Sequence, residues 1–147
     1  MQIKWKIYSW DELRKKEIYD ILMLRSEVFV VEQKCIYQDI DKKDIKATHV
    51  LGYNKDVLVA YSRVFVDSSP PIIGRVVVSQ EKRRNKVGTQ LMKKSIEVIP
   101  SKKTHISAQK HLKKFYESLG FIKKGNEYLE DGIPHIPMEL NLQHPKA

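Results

Sequence analysis

The stretch Ile72-Ile-Gly-Arg-Val-Val-Val-Ser-Gln-Glu-Lys-Arg-Arg-Asn-Lys-Val-Gly-Thr-Gln-Leu-Met92 sets the architecture of this chain. Ile72 to Val78 is rich in β-branched apolar residues and reads as a buried strand. A polar, basic loop follows and ends near Gly88, where Val87, Leu91 and Met92 begin a helical spacing that Ser95 and Ile96 continue up to Pro100. Strand, basic loop and helix in this order build an anion pocket. First-turn N–H groups have no intrahelical partner, and the helix dipole favours negative charge beside them.

The 147 residues are expected to form one domain spanning 1–147, large enough for a core without disulfides. A hydrophobic fraction of 41% and the lack of a run of about 20 apolar residues exclude a helical membrane protein. Met1 to Lys6 enters an alternating strand pattern rather than a signal-peptide core. The lone Cys35 argues for a reducing compartment, so the expected location is cytoplasmic. The formal charge of +9 is spread along the chain in pairs such as Lys15-Lys16, Lys42-Lys43 and Lys113-Lys114. Without a basic tail or continuous basic helix, no nucleic-acid or membrane partner is expected. The densest cluster, Lys82 to Lys86, suits a small polyanion.

Outward from the opening stretch, Ile3 to Tyr8 alternates as a strand, and Ser9-Trp-Asp-Glu12 is a capping-box pattern that predicts a helix running from there to about Phe29. Val30 to Lys46 lacks periodicity and predicts a loop or short helix over a site. Thr48 to Tyr53 and Val57 to Val66 read as a hairpin, and Thr104 to Ala108 as a short strand. His111 to Leu119 is a short helix stopped by Gly120, and Phe121-Ile-Lys with Ile133 to Leu142 forms a last strand pair. The fold class is α/β (α+β), a mixed sheet with helices on both faces.

This order of elements and two of its segments resemble the GCN5-related N-acetyltransferases (GNATs). The family's cofactor loop, Gln/Arg-x-x-Gly-x-Gly/Ala, falls on Arg83-Arg84-Asn85-Lys86-Val87-Gly88. Arg83 and Gly88 match, and Lys86 replaces the first glycine; a negative φ is expected for it. The family's Phe-Tyr-x-x-x-Gly-Phe falls on Phe115-Tyr116-Glu-Ser-Leu-Gly120-Phe121 at every position. Over almost the whole length the likeness is to the ElaA-like acetyltransferases. It is carried by Leu24 to Gln33, Tyr37 to Asp41, His49 to Gly52, Leu58 to Arg63, Ile73 to Ser79 and Glu130 to Met138.

The resemblance implies a GNAT fold with a central sheet of six to seven strands, splayed between strands 4 and 5. It implies acetyl-coenzyme A (acetyl-CoA) as cosubstrate, no metal, and acetyl transfer to a primary amine of a small molecule or peptide by direct attack. A non-catalytic acyl-CoA-binding sensor of the same fold is the alternative. Val76, Val77 and Val78 would pair with the pantetheine arm, with the Val76 N–H at the thioester oxygen. Arg83, Arg84, Lys86, Val87, Gly88 and Thr89 would hold the pyrophosphate. Gln109 and Phe115 would contact the coenzyme, and Tyr116 would protonate the departing thiolate.

The acceptor side is read from chemistry. Amine attack needs a base, and Glu32, Asp39, Asp41, His49 and His135 are the candidates. Glu32 follows the apolar Val28-Phe-Val-Val31, so a raised carboxyl pKa is expected, with an ion pair to Arg25 or Arg63 as the competing reading. Arg63 and Arg75 lie on neighbouring strand patterns. They either pair with Glu32, Asp39 or Asp41 or present a fork to an acidic acceptor, and Tyr37 is counted with this group. Cys35 has no histidine at a recognisable spacing, so a covalent acyl-enzyme is not expected. A homodimer is left open.

Overall fold

A computed structural model describes residues 2–142. Eight strands form one sheet: β1 (Lys4–Ser9), β2 (Thr48–Asn54), β3 (Val57–Phe65), β4 (Ile72–Val78), β5 (Lys103–Gln109), β6 (Ile122–Lys123), β7 (Tyr128–Glu130) and β8 (Ile133–Asn141). The order is β1-β2-β3-β4-β5-β8-β6, with β7 also on β8. Every pair is antiparallel except β4 with β5. Three α-helices accompany it: α1 (Lys15–Arg25), α2 (Val87–Glu97) and α3 (Lys113–Ser118). The strand count exceeds the expected six to seven because of β7, whose three residues are too few to show a period of two.

The sheet separates two cores. Val50, Ala60, Val64 and Ile73 pack with Val87, Leu91 and Met92 of α2 and with Tyr116 of α3. On the other face, Leu51, Tyr61 and Val77 pack with Ile21 and Leu24 of α1. The alternation along β2 and β3 thus places helices on both faces, as the sequence pattern requires. Gly120 closes α3 at φ +100, and a Cβ there would also meet Leu140 Cδ1 at 3.1 Å.

The first helix differs from expectation. The Ser9 N–H donates to Glu12 Oε1 at 2.9 Å, so the capping pair forms, but it caps only a 3₁₀ turn, Trp10–Glu12. Glu17 repeats the device, accepting from the Arg14 N–H at 2.8 Å, and α1 starts at Lys15. Past Arg25 the helix widens into a π-helical segment, Ser26–Glu32, which buries Val28 and Phe29. Such wide turns re-aim side chains and recur at functional sites.

The segment between Gln33 and Lys46 is tied down by three arginines and three aspartates. Arg25, fully buried, bonds Asp39 Oδ2 at 2.9 Å and Asp44 Oδ1 at 2.7 Å. Arg63 grips both oxygens of Asp41 at 2.8 and 2.6 Å and reaches Asp44 at 3.0 Å. Arg75 bonds Asp39 Oδ1 at 2.9 Å, and Tyr37 donates to the same oxygen at 2.9 Å. His49 joins through backbone: its Nε2 lies 2.8 Å from the Asp44 carbonyl, which can only accept, so Nε2–H donates and Nδ1 accepts from Tyr61 at 2.6 Å.

The network also anchors a bulge. Tyr61 faces Val77 and Arg63 faces Gly74, so two steps on β3 oppose three on β4. The extra residue falls at Arg75–Val76, and Arg75 has φ +48. A left-handed arginine costs about 1–2 kcal/mol, which its bonds to Asp39 offset. The bulge turns β4 away from β5, and the two pair only at Ile72 and His105. That is the splay the resemblance implied.

The ionisable groups here make the fold acid-sensitive. Hydrogen bonds from Arg63 hold the Asp41 carboxyl below its usual range. Burial would raise Asp44, but Arg25 and Arg63 override it and hold it low as well. Burial lowers His49 below its ordinary 6.5. All three bind protons more readily when unfolded, so each contributes stability at neutral pH that is lost on acidification. Urea titrations should show stability falling from about pH 6.5 downward and more steeply below about pH 4. His49→Gln should flatten the first limb. Stability that rises between pH 7 and 5 would contradict this arrangement.

Candidate active site

The gap between β4 and β5 opens into a cavity of about 830 Å³, within the size range of small-ligand sites. Val76, Val77 and Val78 line one side of it. Beyond Ile72 this edge of β4 has no strand partner, which leaves backbone groups free to bond a ligand. The loop after β4 and the start of α2 form the floor with Arg83, Arg84, Lys86, Gly88 and Thr89. The first helical bond of α2 runs from the Gln90 N–H to the Lys86 carbonyl at 3.1 Å, so the amides of residues 87–89 precede it. No acidic residue occupies the first turn of this helix. The pocket is therefore electropositive at its floor.

Lys86 departs from expectation: its φ is +61, not negative. The left-handed step turns the chain from the loop into α2, which explains why a glycine suits the position, and Arg84 at φ +72 takes a second such step. Val87 does not reach the cavity; it is 1% exposed and packs in the α2 core. Gly88 lines the entrance, where a Cβ would come into van der Waals contact with Phe115 Cζ at 3.4 Å.

Phe115 and Tyr116 come from α3, with rings edge-on at a 5.1 Å centroid distance. Tyr116 lines the cavity although it is 4% exposed, and burial raises its phenol pKa, so it keeps its proton across the working range. Gln109 lies on the wall and pairs with Gln33 at 3.2 Å, joining the π-helical region to the end of β5.

The acceptor-side expectations divide. Glu32, Tyr37, Arg75 and His135 line the cavity, whereas Asp39 and Arg63 are buried in the ion network and do not. Asp41 and His49 are likewise away from it. The reading of Glu32 as a base with a raised pKa is corrected. Arg83 clamps both its oxygens at 2.5 and 2.9 Å, and these bonds hold its carboxyl below the usual range. Its partner is neither Arg25 nor Arg63, since the loop brings Arg83 across from 51 positions away. Ser107, Glu130 and Asp131 also line the cavity without having been singled out, as does Cys35, which the sequence had set aside as a nucleophile. The available signal was the Asp131-Gly132 turn, whose positive φ values of 51 and 79 close the β7–β8 hairpin.

The sequence model of the acetyltransferase (GNAT) domain matches residues 11–142. The chain belongs to the GNAT acetyltransferase family. It is 47% identical to Protein ElaA of Escherichia coli (strain K12) over 145 residues, covering 92% of this chain and 95% of that protein. The crystal structure of Escherichia coli ElaA superposes with a TM-score of 0.89, over 95% of this chain and 100% of that one. An acyl-CoA N-acyltransferase from Pseudomonas aeruginosa does so at 0.88 and 37% identity, covering 95% and 99%. An aminoglycoside 6'-N-acetyltransferase complexed with coenzyme A shares the fold at a TM-score of 0.71 and 16% identity, covering 92% and 96%. In this GNAT domain the splayed strands and the α2 entrance are thus features of the fold.

The left-handed Lys86 predicts a simple stability series. Lys86→Val should destabilise by about 1–2 kcal/mol, because a β-branched residue resists positive φ. Lys86→Gly should leave the melting temperature unchanged or raise it. Thermal melts of the two variants check the sign.

Proposed function

We propose that this protein is an acetyl-CoA-dependent N-acetyltransferase that acetylates a primary amine by direct attack. The observation that carries the reading is the cavity itself. It joins an unpaired β4 edge, a basic helix entrance and a buried, protonated tyrosine. The residues present fit acetyl-CoA: Arg84, Lys86 and the α2 amides suit phosphates, and the free edge at Val76 to Val78 suits an amide-bearing arm. When bound, acetyl-CoA supplies an activated acetyl thioester.

The chain's own residues do the rest. The Val76 N–H, at the bulge and off the β5 ladder, would donate to a carbonyl oxygen that gains charge. Tyr116, kept protonated by burial, holds a proton for a departing sulfur. Phe115 and Val28 give the cavity wall apolar surface. Cys35 is buried and hydrogen-bonds the Asp131 carbonyl at 3.1 Å, which favours direct transfer over an acyl-cysteine.

Acetyl-CoA at micromolar concentration should raise the melting temperature of the wild-type protein, through its preference for the native state. Gly88→Asp, which places a carboxylate at the α2 entrance, should remove the shift. Tyr116→Phe should keep the shift and lower kcat by about a hundredfold. No shift in the wild type would overturn the proposal.

A further inference from the structure

This inference rests on the transferase reading above and concerns its acceptor. Charges on the cavity wall are sorted by place. At the α2 entrance, Arg84 and Lys86 have no acidic partner among the described residues. On the side built by the β7–β8 hairpin, the lining charges are the carboxylates of Glu130 and Asp131. Arg75, also on the cavity wall, has its Nε and Nη2 committed to Asp39 and Asp41. Only Nη1 of Arg75 is left over, and Arg63 does not line the cavity, so the two-pronged fork that Arg63 and Arg75 had suggested for an acidic acceptor is not presented here.

His135 lies on that wall. Its side chain is 8% exposed and lines the cavity. Nδ1 lies 2.7 Å from the Ile133 carbonyl, which can only accept, so Nδ1 carries the ring hydrogen. In the neutral ring Nε2 then presents a lone pair, and Glu130 Oε2 sits 3.5 Å from it. Two acceptors that close are favourable only with a proton or a cationic N–H between them. Ser107 orients the carboxylate by donating to Glu130 Oε1 at 3.4 Å, and Tyr128 hydrogen-bonds Ser107 while its ring stacks on His135 at 6.1 Å.

We propose that the His135–Glu130 pair of the β7–β8 hairpin is the acceptor site for a cationic primary amine, with Glu130 holding the ammonium group and His135 Nε2 taking its proton. The neutral nitrogen forms the new N–C bond as the thioester C–S bond breaks. The proton taken by His135 leaves to solvent, and the second nitrogen proton balances the one that Tyr116 delivers to sulfur. The titratable groups facing His135 are Glu130 and Tyr128 from β7, while its β5 register partner, Gln109, is uncharged. On the neighbouring walls the other charged or titratable lining groups are Tyr37, Cys35, Arg75, His111, Tyr116, Asp131, Arg84, Lys86 and the Glu32–Arg83 pair.

The test measures thiol release from acetyl-CoA with 1,4-diaminobutane, n-butylamine and β-alanine as probe acceptors. We expect kcat/KM to fall in that order, from dication to monocation to zwitterion. Glu130→Gln, at a half-exposed side chain, should lower kcat/KM for the diamine about tenfold and erase the preference. His135→Asn keeps a donor for the Ile133 carbonyl but no base. It should lose about a hundredfold near pH 7, lose the acidic limb of the kcat/KM profile, and recover as pH rises and neutral amine accumulates. With coenzyme A present, 1,4-diaminobutane should move the His135 imidazole NMR signals in wild type but not in Glu130→Gln. A preference for β-alanine, or a His135→Asn profile parallel to wild type, would overturn the proposal. So would absent turnover of all three probes while acetyl-CoA still raises the melting temperature, an outcome that leaves the donor-site reading standing.

Discussion

The paired charges of Arg25, Arg63 and Arg75 with Asp39, Asp41 and Asp44 are the constraint on which the site depends. Arg25 belongs to α1, Arg63 to β3, Arg75 to the β4 bulge, and the aspartates to the irregular segment that covers them. Charges this buried are tolerable only when matched, and removing one partner of such a pair typically costs about 3–5 kcal/mol. The matching therefore specifies a conformation: the segment must lie where its carboxylates meet the guanidinium groups. By holding Arg75 in a left-handed conformation it also fixes the bulge that parts β4 from β5. The cavity results from an ion network that hardly touches it.

The cavity has two electrostatic characters. Its floor is cationic because α2 begins there with unsatisfied amides, no acidic residue in the first turn, and Arg84 and Lys86 beside it. Its β7–β8 side is anionic because Glu130 and Asp131 flank the hairpin turn. A polyanionic donor and a cationic acceptor would thus enter opposite fields, and each field would repel the other's ligand. Arg83 stands apart from this division. Clamped by Glu32 and bonded to the Val78 carbonyl at 3.1 Å, it ties the π-helical segment to the loop.

Much of this is legible in the chain. The β4–loop–α2 order, the Gly120 stop and the alternation on β2 and β3 appear where their residues predict them, because each depends on contacts a few positions apart. The departures share a cause. The Ser9–Glu12 pair is a true cap, yet the start of α1 is decided by Glu17 and by how Leu13 packs. The apolar neighbours of Glu32 in sequence suggest a raised pKa, whereas its environment is set by Arg83. Ordinary backbone angles are the default expectation for Lys86, because a single residue type does not disclose the sign of φ.

By itself the sequence determined the family and located the basic loop before α2 and Tyr116, since these rest on motifs whose spacing is local and whose chemistry derives from residue type. Only the tertiary structure decided which of the candidate acceptor-side residues line the cavity. Asp39 and Arg63 withdrew into the network, His49 became a neutral bridge between Tyr61 and the Asp44 carbonyl, and of the two candidate histidines only His135 lines the cavity. Those assignments depend on which carboxylate reaches which cation across tens of residues. Long-range pairing of that kind is a property of the folded chain, and no local spacing encodes it.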